Sequence, residues 1–221
     1  MFVGHYGVSF AMRRLYPSVP LWVFFIAVQL LDIIWAPFIL LGIEHVRITP
    51  GITASNPLDL YHMPYTHSLV AAVVWSLAAS VAWRAWSARG PAAGAAMAVG
   101  LAVLSHWILD AVVHRPDLPL YDNTAKIGLG LWNQPILAFC VESILLLVGV
   151  LLYTRARGRQ RAKIWIFAVA MVAIHTMAFF GAPPRTPTMA AVMAFGSYVV
   201  FAGVAAWLER GGEPATSPTA A

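Results

Sequence analysis

In the stretch "SHWILDAVVHRPDLPL" (residues 105–120), His106, Asp110 and His114 recur at every fourth position. On a helix that spacing puts all three on one face. Imidazole nitrogen beside carboxylate oxygen is a donor set for zinc, manganese or iron, and equally a pair able to move a proton. The residues around them are apolar, and a charge near the middle of a bilayer costs at least ~3 kcal/mol on insertion scales. Such groups need a partner, a cavity or a chemical task. The same question attaches to Asp32 in "QLLDIIW" and Glu142 in "FCVESILL". It also attaches to His5 near the start, His67 in "MPYTHSL" and His175 in a later apolar run.

The elements that must carry these residues follow from composition. Hydrophobic residues are 60% of the chain and charged residues 10%, against about 25% charged in a soluble domain. Six runs have the ~20 apolar residues a helical crossing requires: about 20–43, 67–88, 91–113, 131–153, 164–182 and 187–208. The expected fold is all-α, a polytopic membrane bundle of about six spans. A short N-terminal helix, "FVGHYGVSFAMRRL", precedes them and is closed by Pro17 and Pro20. Pro37 is expected to kink the first span. One domain covers 1–210, the small polar tail 211–221 is expected to be disordered, and the longer connections are 44–66 and 114–130. No removed signal peptide is expected. Cys140 is the single cysteine, so an intramolecular disulfide and a thiolate-built metal site are both excluded.

The net charge of +5 does not point to nucleic acid, because the arginines sit in short clusters between apolar runs. Arg13 and Arg14, Arg84 and Arg89, and "RARGRQRAK" (155–163) fall on one side only if both termini are cytoplasmic. In that orientation Asp32 lies near mid-membrane. His106 and Asp110 lie roughly 6 and 12 Å further out, from a rise of ~1.5 Å per residue. His67 enters from the outer side, and the short N-terminal helix rising from Arg13 and Arg14 reaches about midplane at His5. Five metal-ligand types can therefore meet in the outer half of the bundle. Glu142 is a candidate base or a partner holding a histidine, and His114, with Asp117, sits at the mouth of the site. Lys126 or Arg115 is placed to hold an anionic group. His175 has no companion acid in its span and reads as a packing residue.

The early His, the Asp of the next helix, "THS" and then "SHWILD" together resemble the YdjM-like family of membrane-bound metal-dependent hydrolases. That family is distantly similar to zinc-dependent phospholipase C and to zinc single-strand nucleases. The likeness covers about residues 1–120, with "YHMPYTHS" standing where a common form of the pattern has "HRGxTHS". "GHYGVSFAMRRL", "NPLDLYHMPYTHSL" and "HRPDLPL…GLGLWN" also resemble a group of bacterial inner-membrane proteins. The resemblance implies that His5, Asp32, His67, His106 and Asp110 are the metal ligands.

The expectation is a hydrolase of the bacterial cytoplasmic membrane carrying one or two zinc ions, with manganese or iron as alternatives. Its substrate would be a phosphoester or an amphipathic, lipid-like ester reached from the outer leaflet. Glu142 and His114 would assist catalysis. Two other readings stay open: an ion- or proton-coupled transporter using the same Asp, Glu and His residues, and a non-catalytic bundle stapled by a structural metal.

Overall fold

The computed structural model describes residues 1–87, 93–155 and 160–210. Arg89, the middle of the 155–163 cluster and the tail 211–221 lie outside the described residues. The protein is a helical bundle with α1 (Gly4–Leu15), α2 (Leu21–Val28), α3 (Leu30–Leu40), α4 (Leu69–Trp86) and α5 (Ala93–Val113), followed by α6 (Pro135–Thr154), α7 (Gln160–Phe180) and α8 (Pro187–Arg210). Helices α4 to α8 are each long and apolar enough to cross a membrane, and α2 with α3 adds a sixth if the bent pair forms one span. It is a multi-pass membrane protein.

The bend in the first span is 52° and falls at Gln29, between α2 and α3. Pro37, where the kink was expected, lies inside α3. Gln29 leaves helical geometry, with φ −112° and ψ 10°. Its fully buried side chain donates to the Phe2 carbonyl at 3.2 Å. The break is thus fixed by tertiary partners and not by a missing backbone N–H.

α1 is not a surface helix. His5, Tyr6, Ser9 and Phe10 are completely buried, and α1 packs along α6. Two glycines make that closeness possible. A methyl on Gly7 would run into the Leu145 carbonyl, and one on Gly149 into the Gly7 backbone. Small residues at a helix crossing let backbones approach within lipid, where dispersion contacts drive association.

At one end, Arg13 pairs with Glu209 at 2.6 Å, the same carboxylate accepts from the Leu21 amide, and Trp22 meets Trp86 at 6.0 Å. Lys163 lies 5.9 Å from the Trp207 ring. Arg13, Lys163 and the end of α4 bearing Arg84 therefore share that end. At the other end the 44–66 connection forms a two-stranded antiparallel hairpin, β1 (His45–Ile48) and β2 (Leu58–His62). Sequence periodicity gave no sign of it. Arg115 ties the hairpin to the segment after α5, donating to Asp59 at 2.5 Å and to Asp117 at 3.1 Å. That segment also supplies the Pro119 and Leu120 carbonyls to the Leu69 and Val70 amides at the start of α4. Ser68 caps the same helix by accepting from Ala71 at 3.1 Å. The N-terminus of α4, and His67 just before it, is thereby held in place.

Candidate metal centre

His5, Asp32, His67, His106 and Asp110 come from α1, α3, the entry to α4, and α5, and they meet in one place. Two overlapping triads, His5–His106–Asp110 and Asp32–His67–His106, each bring three ligand-type atoms within 4.8 Å of one another. His106 Nε2 lies 3.1 Å from Asp110 Oδ2 and 3.8 Å from Asp32 Oδ1. His67 Nε2 lies 3.2 Å from Asp32 Oδ1 and 3.9 Å from Asp110 Oδ2. His5 Nε2 is 3.1 Å from Asp110 Oδ1, and its ring stacks on His106 with centroids 4.0 Å apart. The Met1 amine also reaches Asp110 Oδ1, at 2.6 Å.

The far side of each imidazole decides the chemistry. His106 Nδ1 is 2.7 Å from the Val28 carbonyl oxygen, which can only accept, so Nδ1 carries the proton. Thr66 Oγ1 donates to Glu44 Oε2 at 2.6 Å and lies 2.7 Å from His67 Nδ1. Its one hydrogen is spent on Glu44, so the bond from His67 runs Nδ1–H to oxygen. In both rings the neutral tautomer leaves the Nε2 lone pair pointing at carboxylates. His106 Nε2 has no hydrogen-bond partner although it is fully buried. Lone pairs converging on carboxylate oxygens in a buried space repel unless a cation or added protons lie between them.

The spacing suits a cation. Tetrahedral coordination at ~2.0–2.1 Å separates neighbouring ligand atoms by ~3.3–3.4 Å, and the distances here run from 3.1 to 3.9 Å. Three of the five have a supporting partner of the kind metal sites use, whereas His5 Nδ1 is buried without one. The partners are Val28 for His106, Thr66 with Glu44 for His67, and Tyr198, whose hydroxyl donates to Asp32 Oδ2 at 2.7 Å. Trp107 adds to this by donating to the His67 carbonyl at 2.9 Å.

His114 continues the α5 face. Its Nε2 is 3.5 Å from Asp110 Oδ2 and its Nδ1 2.9 Å from Asp117 Oδ1. Burial opposes its cation, but Asp110 and Asp117 outweigh that and raise its pKa to about 9. Glu142 is buried on α6 and accepts from the Phe2 amide at 2.6 Å through Oε2, while its Oε1 has no partner. It stands beside the cluster without entering either triad. Lys126 lies on the hairpin, donating to the Tyr61 carbonyl at 2.7 Å, and Arg115 is held by Asp59 and Asp117.

His175 is more than a packing residue. It does stack on Phe139, with centroids 5.0 Å apart. It also lines the cavity that Asp32, His67, Asp110, His114 and Glu142 line, with Nε2 4.0 Å from Glu142 Oε2. Sequence reasoning gave no site role to Glu44, Thr66, Trp107 or Tyr198, reading Trp107 as a packing or interfacial residue. An acidic residue four positions after Leu40 and a Thr directly before His67 were the available signals. Comparison with family models, with curated proteins and with solved structures gives no match.

Proposed function

We propose that the protein is a membrane-embedded metal-dependent hydrolase acting on a phosphoester or lipid-like ester from the outer-leaflet side. One observation carries the reading. Two histidines have their Nδ1 protons committed to fixed acceptors, and their Nε2 atoms face two carboxylates inside the cluster. His5, Asp32, His67, His106 and Asp110 are the residues that would hold one or two divalent cations, zinc by donor type, with manganese or iron as alternatives. A cation there supplies Lewis acidity toward an ester or phosphoryl oxygen and acidifies a water for attack.

This chain's own groups supply the rest. His114, anchored by Asp117, stands at the rim of the cluster, placed to pass a proton to a leaving oxygen. Glu142 offers an unpartnered carboxylate oxygen to accept a proton or to orient water. The proposal agrees with the resemblance of residues 1–120 to the YdjM-like hydrolases. It places the protein in a bacterial cytoplasmic membrane with both termini inside.

A second reading is favoured by the broken helix. A discontinuous membrane helix at a binding site is a device of transporters, and the α2–α3 break lies three residues before the half-buried Asp32. Only one such bent pair occurs among the described residues, where transporters commonly use two. The deciding experiment is elemental analysis of protein purified without chelator, followed by hydrolysis assays on phosphomonoester, phosphodiester and carboxylester probes. Metal with turnover supports the hydrolase, metal without turnover or flux supports a structural staple, and proton flux without metal supports the transporter.

A further inference from the structure

The cavity beside the cluster has about 860 Å³ and is lined by the facing sides of α7 and α8 as well as by the 50–63 stretch of the hairpin connection. That volume lies within the ~300–1,000 Å³ range of sites that enclose a small ligand. Although joined by the short turn 181–186, α7 packs on α6, whereas α8 packs on α2 and α3. Toward the Lys163 end the two helices meet through Phe167 and Phe201, with ring centroids 5.8 Å apart. Between that contact and the turn they leave a window.

The window is apolar and open. Its walls include Ile174 and Met177 of α7 and Met193 of α8, which are 40%, 73% and 55% exposed. Both helices are long and apolar enough to cross a membrane, so a window between them would open toward hydrocarbon. Methionines make such walls adaptable to chains of different shape. At the inner end the lining turns polar within one side chain's length. Glu142 Oε1 and both nitrogens of His175 are buried there without hydrogen-bond partners. Buried polar atoms left unpaired are costly, and a ligand's polar linkage reaching that point would satisfy them. Beyond lie Asp32 and Asp110.

We propose that the α7–α8 window is a lateral entrance for a phosphate-headed membrane lipid, one hydrocarbon chain of which lies in the groove. The headgroup reaches the His/Asp cluster, the linkage meets His175 and Glu142, and the chain runs out between Met177 and Met193 into the bilayer. The headgroup assignment rests on the hydrolase reading; the chain-binding groove does not.

The test uses the full-length protein in detergent and dodecyl phosphate carrying a diazirine near the chain end. Photolabelling should map to peptides within 171–181 and 188–198. Excess unlabelled dodecyl phosphate should compete, and glycerol phosphate, which lacks the chain, should not. Ala194→Trp, which fills the groove from the α8 side, should abolish the labelling. Met193→Trp is a second variant should the first fail to fold by thermal melting. Labelling spread evenly over lipid-facing surfaces such as α4, or unchanged in a folded tryptophan variant, overturns the groove. Groove labelling that persists in wild-type protein lacking both metal and turnover leaves the groove standing and removes the hydrolase reading.

Discussion

His106 Nδ1 lies 2.7 Å from the carbonyl oxygen of Val28, the last residue of α2 before the chain bends. A carbonyl inside a regular helix is normally engaged by the amide four residues on. By interrupting the helix at Gln29, the fold turns that carbonyl to a ligand-type imidazole on α5. The same bend starts α3 in a new direction and carries Asp32 to within 3.8 Å of His106 Nε2. One backbone break thus orients the ring and delivers its counter-charge.

If these lone pairs hold a cation, protons compete with it. Bound imidazole must be neutral, so metal occupancy should be full near pH 7–8 and should fall as pH drops below about 6. Elemental analysis after equilibration across pH 4.5–8 measures this. Occupancy that rises on acidification would contradict ligation through Nε2.

The Glu44–Thr66–His67 chain is expected to set metal affinity without touching the metal. Thr66→Val removes the acceptor for His67 Nδ1–H and should weaken binding about 10–100-fold, the usual range for such supporting partners. Chelator competition is the assay. Thr66→Ser, which keeps the hydroxyl, should stay close to wild type. Equal effects of the two substitutions would mean that Thr66 acts only by packing.

Gly149→Leu should unseat α1 from α6, because its side chain would enter the Gly7 backbone. Overpacking of this kind costs ~1–3 kcal/mol or more, read as a lower melting temperature in detergent. Since α1 carries His5, metal affinity should fall as well. Gly196→Leu, where nothing lies within 4 Å of an added Cβ, is the control and should leave both properties near wild type.

Reporter fusions test the orientation. A reporter placed after Lys163 should read cytoplasmic and one inserted at Thr53 external, as the arginine distribution demands. Arg13, Arg84 and Lys163 share one end of the bundle, so a reversed result would invert the whole molecule. The cluster would then face the inner leaflet.

Hydropathy alone located the apolar runs that become α2 to α8, because a long apolar run in lipid can satisfy its backbone only as a helix. The cost of intramembrane charge singled out Asp32, His106, Asp110 and Glu142, and the four-residue spacing put His106, Asp110 and His114 on one face. Helix rotation about its own axis was not legible, since lipid and bundle interior are almost equally apolar and the pattern carries little facing information. Tertiary contacts therefore decided that His175 turns into the cavity and that α7 and α8 part around it. They also set the bend at Gln29, where long-range bonds to Phe2 and His106 outweigh the missing N–H of Pro37. Glu44, Thr66 and Tyr198 became part of the site for the same reason. Their value lies in what they hydrogen-bond across the bundle, and only the folded chain brings those partners together.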